Sequence, residues 1–172
     1  MTDKAQKTAA ECIDRASEMT GRAVSWLTLL MVLVTLVIVV LRYVFDEGYI
    51  WLQESLTWMH ALVFMLGAGY TLKWEEHVRV DVFYRDMSER RQAVVNAAGV
   101  LLFLLPLCLF LAYISFDYAA RAWALREISR DAGGLPYPAV PLLKSVLLLM
   151  PLVVGLQGIA LLLRSFRTLK QD

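Results

Sequence analysis

The sequence predicts an all-α integral membrane protein with four transmembrane helices and both termini in the cytoplasm. The prediction rests on long uncharged runs, on an uneven distribution of basic residues, and on aromatic residues near the ends of the runs. The runs are Val24–Leu41, Ser55–Leu72, Gln92–Phe116 and Ser145–Leu163, and none contains Asp, Glu, Lys or Arg. Because a helix of about 20 apolar residues crosses the hydrocarbon core, each run can span a bilayer with a few flanking residues.

Basic residues indicate the orientation. Twelve Lys and Arg residues lie in the N-terminal segment, in the loop between the second and third runs and in the C-terminal tail, and five lie on the other side. The positive-inside rule then places both termini in the cytoplasm. Trp and Tyr residues near both predicted boundaries agree with this, since amphipathic rings favour the headgroup level.

The composition leaves no room for a second domain. The chain has 172 residues, is 59% hydrophobic and has a formal net charge of +1. Four spans and their connections use nearly all of it, so residues 1–172 are predicted to form a single four-helix membrane domain. A net charge this close to zero gives no indication of nucleic-acid binding.

The N-terminal segment, residues 3–20, is predicted to form a short amphipathic helix on the inner membrane surface. A frayed, solvated helix is the alternative. The residues that recur at helical spacing in this segment are Ala5, Ala9, Cys12, Ile13 and Ala16. The first span follows at about 22–45 and the second at about 50–73.

The second half of the chain holds the two remaining spans. The third is predicted at 92–116, with Ser88 as a candidate N-cap and Pro106 as the source of a kink. An outer loop at 117–141 contains two glycines and three prolines, which end the helix and favour extended backbone. The fourth span is predicted at 142–164, and its Gly155 and Gly158 allow a neighbouring helix to approach closely.

Three spans carry a stripe of small, polar or aromatic residues along one face. Within lipid, small and polar residues collect where helices meet. The stripes therefore indicate either internal packing of the bundle, which is favoured for any single residue, or a face for another protein. The stripes are Ser25, Thr28, Val32, Thr35, Val39 and Arg42 in the first span, Gln53, Thr57, His60, Phe64, Gly67 and Thr71 in the second, and Asn96, Gly99, Phe103, Pro106, Phe110, Tyr113 and Asp117 in the third.

No cofactor or metal is predicted. The two histidines, His60 and His77, belong to one span and its exit loop, so they cannot ligate opposite faces of one haem. No second ligand lies one helical turn from His60, which argues against a metal site. Cys12 and Cys108 are predicted at different depths, so a disulfide is not expected and Cys108 is interpreted as a packing residue.

Two ionisable residues of the second span each have two interpretations. Glu54 lies near a helix N-terminus, where the dipole favours an acid, and it could also pair with Arg42; the functional alternative is a docking contact. His60 is interpreted as a neutral residue that is hydrogen-bonded inside the bundle, and the alternative is contact with a partner helix.

Several short motifs, in this order, resemble the small membrane subunit of tripartite ATP-independent periplasmic (TRAP) transporters, the DctQ-like or Q-type component. Residues 22–167 carry the resemblance, but many members have a second acid where this chain has Ser55. The motifs are Arg42-Tyr43, Trp51-x-x-Glu54, Gly67-Ala68, His77-Val78-Arg79-Val80-Asp81, and Leu156-Gln157-Gly158-Ile159-Ala160 before a basic tail.

The resemblance implies an accessory role in the inner membrane of a bacterium or archaeon. It implies a large multi-span transport subunit (M-type) and a periplasmic solute-binding protein (P-type) as partners, with sodium-driven uptake of an organic acid. The scarcity of deep charge in the spans agrees, since a lone transport path would need it. A membrane anchor for a redox enzyme and a small self-sufficient exporter are the alternatives. The candidate partner-contact residues are Arg42, Trp51, Glu54, His60, Gly67, His77, Arg79, Asp81 and Gln157.

Overall fold

The computed structural model describes residues 3–74 and 84–171, and side chains within 7–74 and 84–170. In this part of the chain the regular structure is entirely helical, as predicted. The helices are α1 (Asp3–Val44), α2 (Ile50–Lys73), α3 (Glu89–Ala124) and α4 (Ala139–Gln171).

Three of these helices are long and apolar enough to cross a membrane: α1 from Lys7 onward, α3, and α4 as far as Lys170. Helix α2 is not among these three, and Gln53, Glu54 and His60 lie within it. Its 24 residues give a length of about 36 Å at 1.5 Å per residue. That length suffices for a span, and the crossing by α2 remains a prediction.

The N-terminal segment is not a separate surface helix, so that part of the prediction is wrong. Helix α1 continues without a break from Asp3 to Val44. Gly21 alone does not interrupt it, since one helical glycine costs only about 1 kcal/mol relative to alanine. The face of the segment that packs inward holds Ala10, Ser17 and Val24, which are buried.

Helix α4 lies at the centre of the bundle and packs against each of the other three. Glycines permit the close approaches, as predicted for this helix. A β-carbon at Gly158 would lie 2.5 Å from Leu104 Cδ2 of α3, and one at Gly155 would lie 3.7 Å from Cys108 Cβ. On the other side of α4, Gly69 of α2 lies directly against Val153.

Helix α3 changes its hydrogen-bond pattern midway. Val100–Leu104 form a π-helical turn between α-helical segments, and Pro106 lies two residues after its end. Since proline has no N–H and crowds the carbonyl four residues earlier, a wider turn before it relieves the clash. The structure thus has a π turn beside Pro106, and the kink at this residue stays a prediction. Ser88 has the predicted N-cap position, with extended backbone, but its side chain makes no capping hydrogen bond.

Candidate partner-docking surface

A groove of about 580 Å³ runs between α1 and α2. Small residues line it: Ser25 lies on the α1 side, and Gly67 and Ala68 lie on the α2 side. A β-carbon at Gly67 would meet no atom within 4 Å. The groove is therefore open enough to accept a side chain or a helix ridge from outside the bundle.

The residue stripes of the first two spans face outward, beside this groove. All six stripe residues of α1 are exposed, from Ser25 to Arg42. On α2 the stripe is exposed from Gln53 to Phe64, and Gly67 and Thr71 are half-buried in the groove wall. The favoured interpretation, ordinary internal packing, is wrong for the exposed members of these stripes.

The stripe of α3 has a similar exposure. Phe103, Phe110 and Tyr113 are large exposed side chains, with Phe103 and Tyr113 each 74% exposed. Only its first two members, Asn96 and Gly99, are half-buried. The periodicity identified a real helix face, but that face lies on the surface of the isolated chain.

His60 lies on the exposed face of α2, so the prediction of a site inside the bundle is wrong. Its ring lies nearly parallel to that of Phe64, with centroids 6.5 Å apart and an interplanar angle of 13°. His60 is close to the middle of the helix, since α2 runs from Ile50 to Lys73.

Both oxygens of Glu54 bind the loop that joins α3 to α4, residues 125–138, here called the connecting loop. Oε1 accepts a hydrogen bond from the Ser129 hydroxyl, and Oε2 accepts one from the Leu135 N–H at 2.6 Å. Neither bond involves Arg42, which is exposed at the end of α1. The alternative of an ion pair between Glu54 and Arg42 is not what the structure shows.

Trp51 lies at the same end of the bundle, which we call the loop end. Its side chain is 47% exposed. Its N–H donates to the Gly133 carbonyl at 3.1 Å, so its backbone joins α2 to the connecting loop. Its ring lies 6.3 Å from that of Tyr49.

Gln157 lies in the interior and is fully buried. Its amide oxygen accepts a hydrogen bond from Ser17 Oγ at 2.8 Å, and its Nε2 donates to Asp14 Oδ1 at 2.8 Å. Asp14 also pairs with Arg164, with Nη1 to Oδ2 at 2.8 Å. These contacts join α1 to α4 at the terminal end, where both chain ends lie, and favour a packing role for Gln157.

A second ion-pair group at the terminal end joins α1 to α2. Lys73 Nζ lies 2.6 Å from Glu18 Oε2, and Arg22 lies 2.5 Å from Glu18 Oε1. Asp14, Ser17 and Glu18 were not among the residues predicted to make contacts. The steps of three and four between Asp14, Ser17 and Gly21 mark the helix face on which they lie, and this spacing was the available signal.

Three of the candidate contact residues, His77, Arg79 and Asp81, lie outside the described residues. Within residues 3–74 and 84–171, no group of three or more His, Cys, Asp or Glu side chains could hold a metal ion. Cys12 and Cys108 are both free, the first exposed and the second buried.

The fold and its surface are those of a multi-pass α-helical membrane protein. The chain belongs to the family of tripartite ATP-independent periplasmic transporters, DctQ component, whose model matches residues 31–169. No curated protein and no solved structure gave a significant match. The resemblance drawn from the motifs is thereby confirmed, and the chain is a component of a transport system rather than a member of an enzyme family.

Proposed function

We propose that the chain is the accessory small subunit that scaffolds the large M-type transport subunit in the inner membrane. In this proposal it also helps to dock the P-type solute-binding protein during sodium-driven uptake of an organic acid. Both termini face the cytoplasm, and the loop end faces the periplasm.

The position of His60 carries the proposal. The residue lies near the middle of α2 and on its exposed face. In a lone bundle this imidazole would meet lipid tails, where an ionisable side chain is costly and has no hydrogen-bond partner. A helix of the large subunit that covers this face can supply the hydrogen-bond partner that lipid tails lack.

The groove supports the same conclusion independently. Without hydrophobic driving force between helices in lipid, association depends on close packing at small residues and on polar contacts. The groove offers Gly67 with open space above it, and Ser25 and Thr28 along its α1 wall. The membrane half of α1 leaves much of its apolar surface uncovered, including Val32 at 62% exposure.

The placement of charge supports a division of labour between subunits. The paired charges of the described residues lie towards the two ends of the bundle: Asp14 with Arg164 at the terminal end, and Glu127 with Lys144 at the loop end. A path for sodium and a carboxylate would need ligands between these ends. The large subunit is the component expected to supply them.

Co-purification with the large subunit tests the proposal. We expect Gly67→Leu to lower the recovery of the co-expressed large subunit, because the added side chain fills the groove. The matched control is Gly48→Leu, which adds the same side chain at an equally open glycine in the loop after α1. Full recovery with both variants, or transport by the isolated chain in liposomes, would contradict the proposal.

A further inference from the structure

We propose that Glu54 is a positioning residue that holds the connecting loop in the shape needed for docking. This inference rests on the proposed function, in which the solute-binding protein docks at the loop end. In it, Glu54 acts through the loop and does not itself touch the docked protein.

The orientation of the carboxylate is the first observation. Both of its oxygens are engaged by residues 75 and 81 positions away in the chain, the Ser129 hydroxyl and the Leu135 N–H. Hydrogen bonds to an ionised carboxylate are roughly twice as strong as neutral ones. Each oxygen of Glu54 therefore already has a hydrogen-bond partner in the connecting loop.

The backbone of the connecting loop is fitted to this carboxylate. Gly134 lies between the two bonded residues, and a β-carbon there would lie 2.7 Å from Glu54 Oε1 and would overlap Ser129 Oγ. Next to it, the Gly133 carbonyl accepts the Trp51 N–H. Gly133 has a φ of 81°, a conformation that glycine adopts without strain.

A second set of contacts fastens the start of the loop to α4 and also joins α3 directly to α4. Lys144 Nζ lies 2.5 Å from Glu127 Oε2 and 4.0 Å from the centroid of the Tyr118 ring. Trp123 Nε1 donates to Ser145 Oγ at 3.0 Å. The middle of the loop is bound instead to α2, through the Glu54 carboxylate and the Trp51 backbone N–H.

The fastened loop presents a mixed surface to solvent. Leu125 and Ile128 are 78% and 60% exposed, and Arg126 and Arg130 are exposed beside them. Arginine is enriched among the residues that dominate protein–protein contacts, and the exposed apolar side chains beside it offer surface that a partner can bury. The surface fits a folded protein that offers carboxylates around an apolar patch, and its shape is set by the bonds from Glu54.

Hydrogen exchange of peptides that cover residues 129–136 tests the loop step, with the full chain in complex with its large subunit in nanodiscs. We expect Glu54→Ala to speed exchange of the Leu135 amide about tenfold or more, since a charge-assisted bond is lost. Gly134→Ala should do the same without any change in α2. The control is Glu47→Ala, which removes an exposed acid at the same end and should leave exchange unchanged.

Binding of the solute-binding protein to the same nanodiscs tests the docking step, and Glu54→Gln separates the two roles. The glutamine amide oxygen can still accept the Leu135 N–H, and its NH₂ can donate to Ser129 Oγ. We therefore expect Glu54→Gln to retain most of the binding and Glu54→Ala to lose at least about tenfold in affinity, in parallel with the exchange rates.

The outcomes distinguish the inference from the function on which it rests. Failure of the wild-type complex to bind the solute-binding protein would overturn the docking role itself. Unchanged exchange in both Glu54→Ala and Gly134→Ala, or faster exchange with unaltered binding, would overturn the inference alone. Equal loss of binding in Glu54→Gln and Glu54→Ala, with normal exchange in the former, would show a direct charge contact instead.

Discussion

Replacement of Gln157 by leucine is the sharpest test of the interior polar cluster at the terminal end. The amide makes two hydrogen bonds, a buried one from Ser17 Oγ and a half-buried one to Asp14 Oδ1. Leucine has a similar volume, so the main effect is the loss of these bonds and not a cavity. Ser17, itself 5% exposed, would lose its partner for Oγ on Gln157.

The magnitude follows from the two bonds. A neutral hydrogen bond contributes about 0.5–1.5 kcal/mol and one to a charged group about 1.5–3 kcal/mol. Bonds between membrane helices measure less, about 0.6 kcal/mol on average. A loss of about 2 kcal/mol lies between these limits, and for a chain of this size it corresponds to a fall in Tm of about 4–8 °C.

Thermal unfolding of the full chain in a mild detergent, followed by circular dichroism, measures this effect. Gln53→Leu is the matched control, because Gln53 is exposed on α2. We expect its Tm to stay within about 1–2 °C of the wild-type value, as for surface substitutions in general. The reasoning would be refuted by equal Tm values for the two variants.

Two further predictions concern packing and the loop end. Gly69→Leu should lower Tm more than Gly67→Leu, because a β-carbon at position 69 would overlap Val153 and one at position 67 would meet nothing within 4 Å. Thermal unfolding of the two variants measures this difference. The reverse order of Tm values would contradict the helix packing described. In a double-mutant cycle of Lys144→Met and Glu127→Gln, thermal unfolding should give a coupling energy of about 1 kcal/mol, since both side chains are largely shielded. Additive effects would mean that the ion pair contributes nothing to stability.

Helix positions were largely predictable from the sequence, because apolar runs and breakers determine them locally. Helix α2 begins and ends at the predicted residues, 50 and 73, and α1 ends at Val44 next to the predicted limit of 45. The start of α1 was not predictable in this way. Its N-terminal part gains contacts with Gln157 and Arg164, which lie 140 to 150 residues away.

The sequence did not predict whether each stripe faces the inside of the bundle or its surface. A period of three and four residues identifies a helix face, but in lipid the inward and outward faces are both apolar, so periodicity does not say which is buried. His60 and Gly67 were correctly predicted to lie on one face of α2, but that face lies on the surface of the bundle. For Glu54, the local sequence showed only that the residue lies near the start of a helix. Its hydrogen-bond partners, Ser129 and Leu135, belong to the connecting loop and are distant in the sequence.

The central claim is that the exposed face beside the α1–α2 groove packs against the large subunit. Site-specific photo-crosslinking at Phe64 tests this claim most directly. Phe64 lines the groove and is 66% exposed, and Leu109 of α3, at 71% exposure and outside the groove, serves as the comparison position. With a benzophenone amino acid at each position in membranes that contain the complete transporter, we expect an adduct with the large subunit from position 64, in clear excess over position 109. Labelling from position 64 of lipid only, in a complex that still takes up solute, would contradict the account.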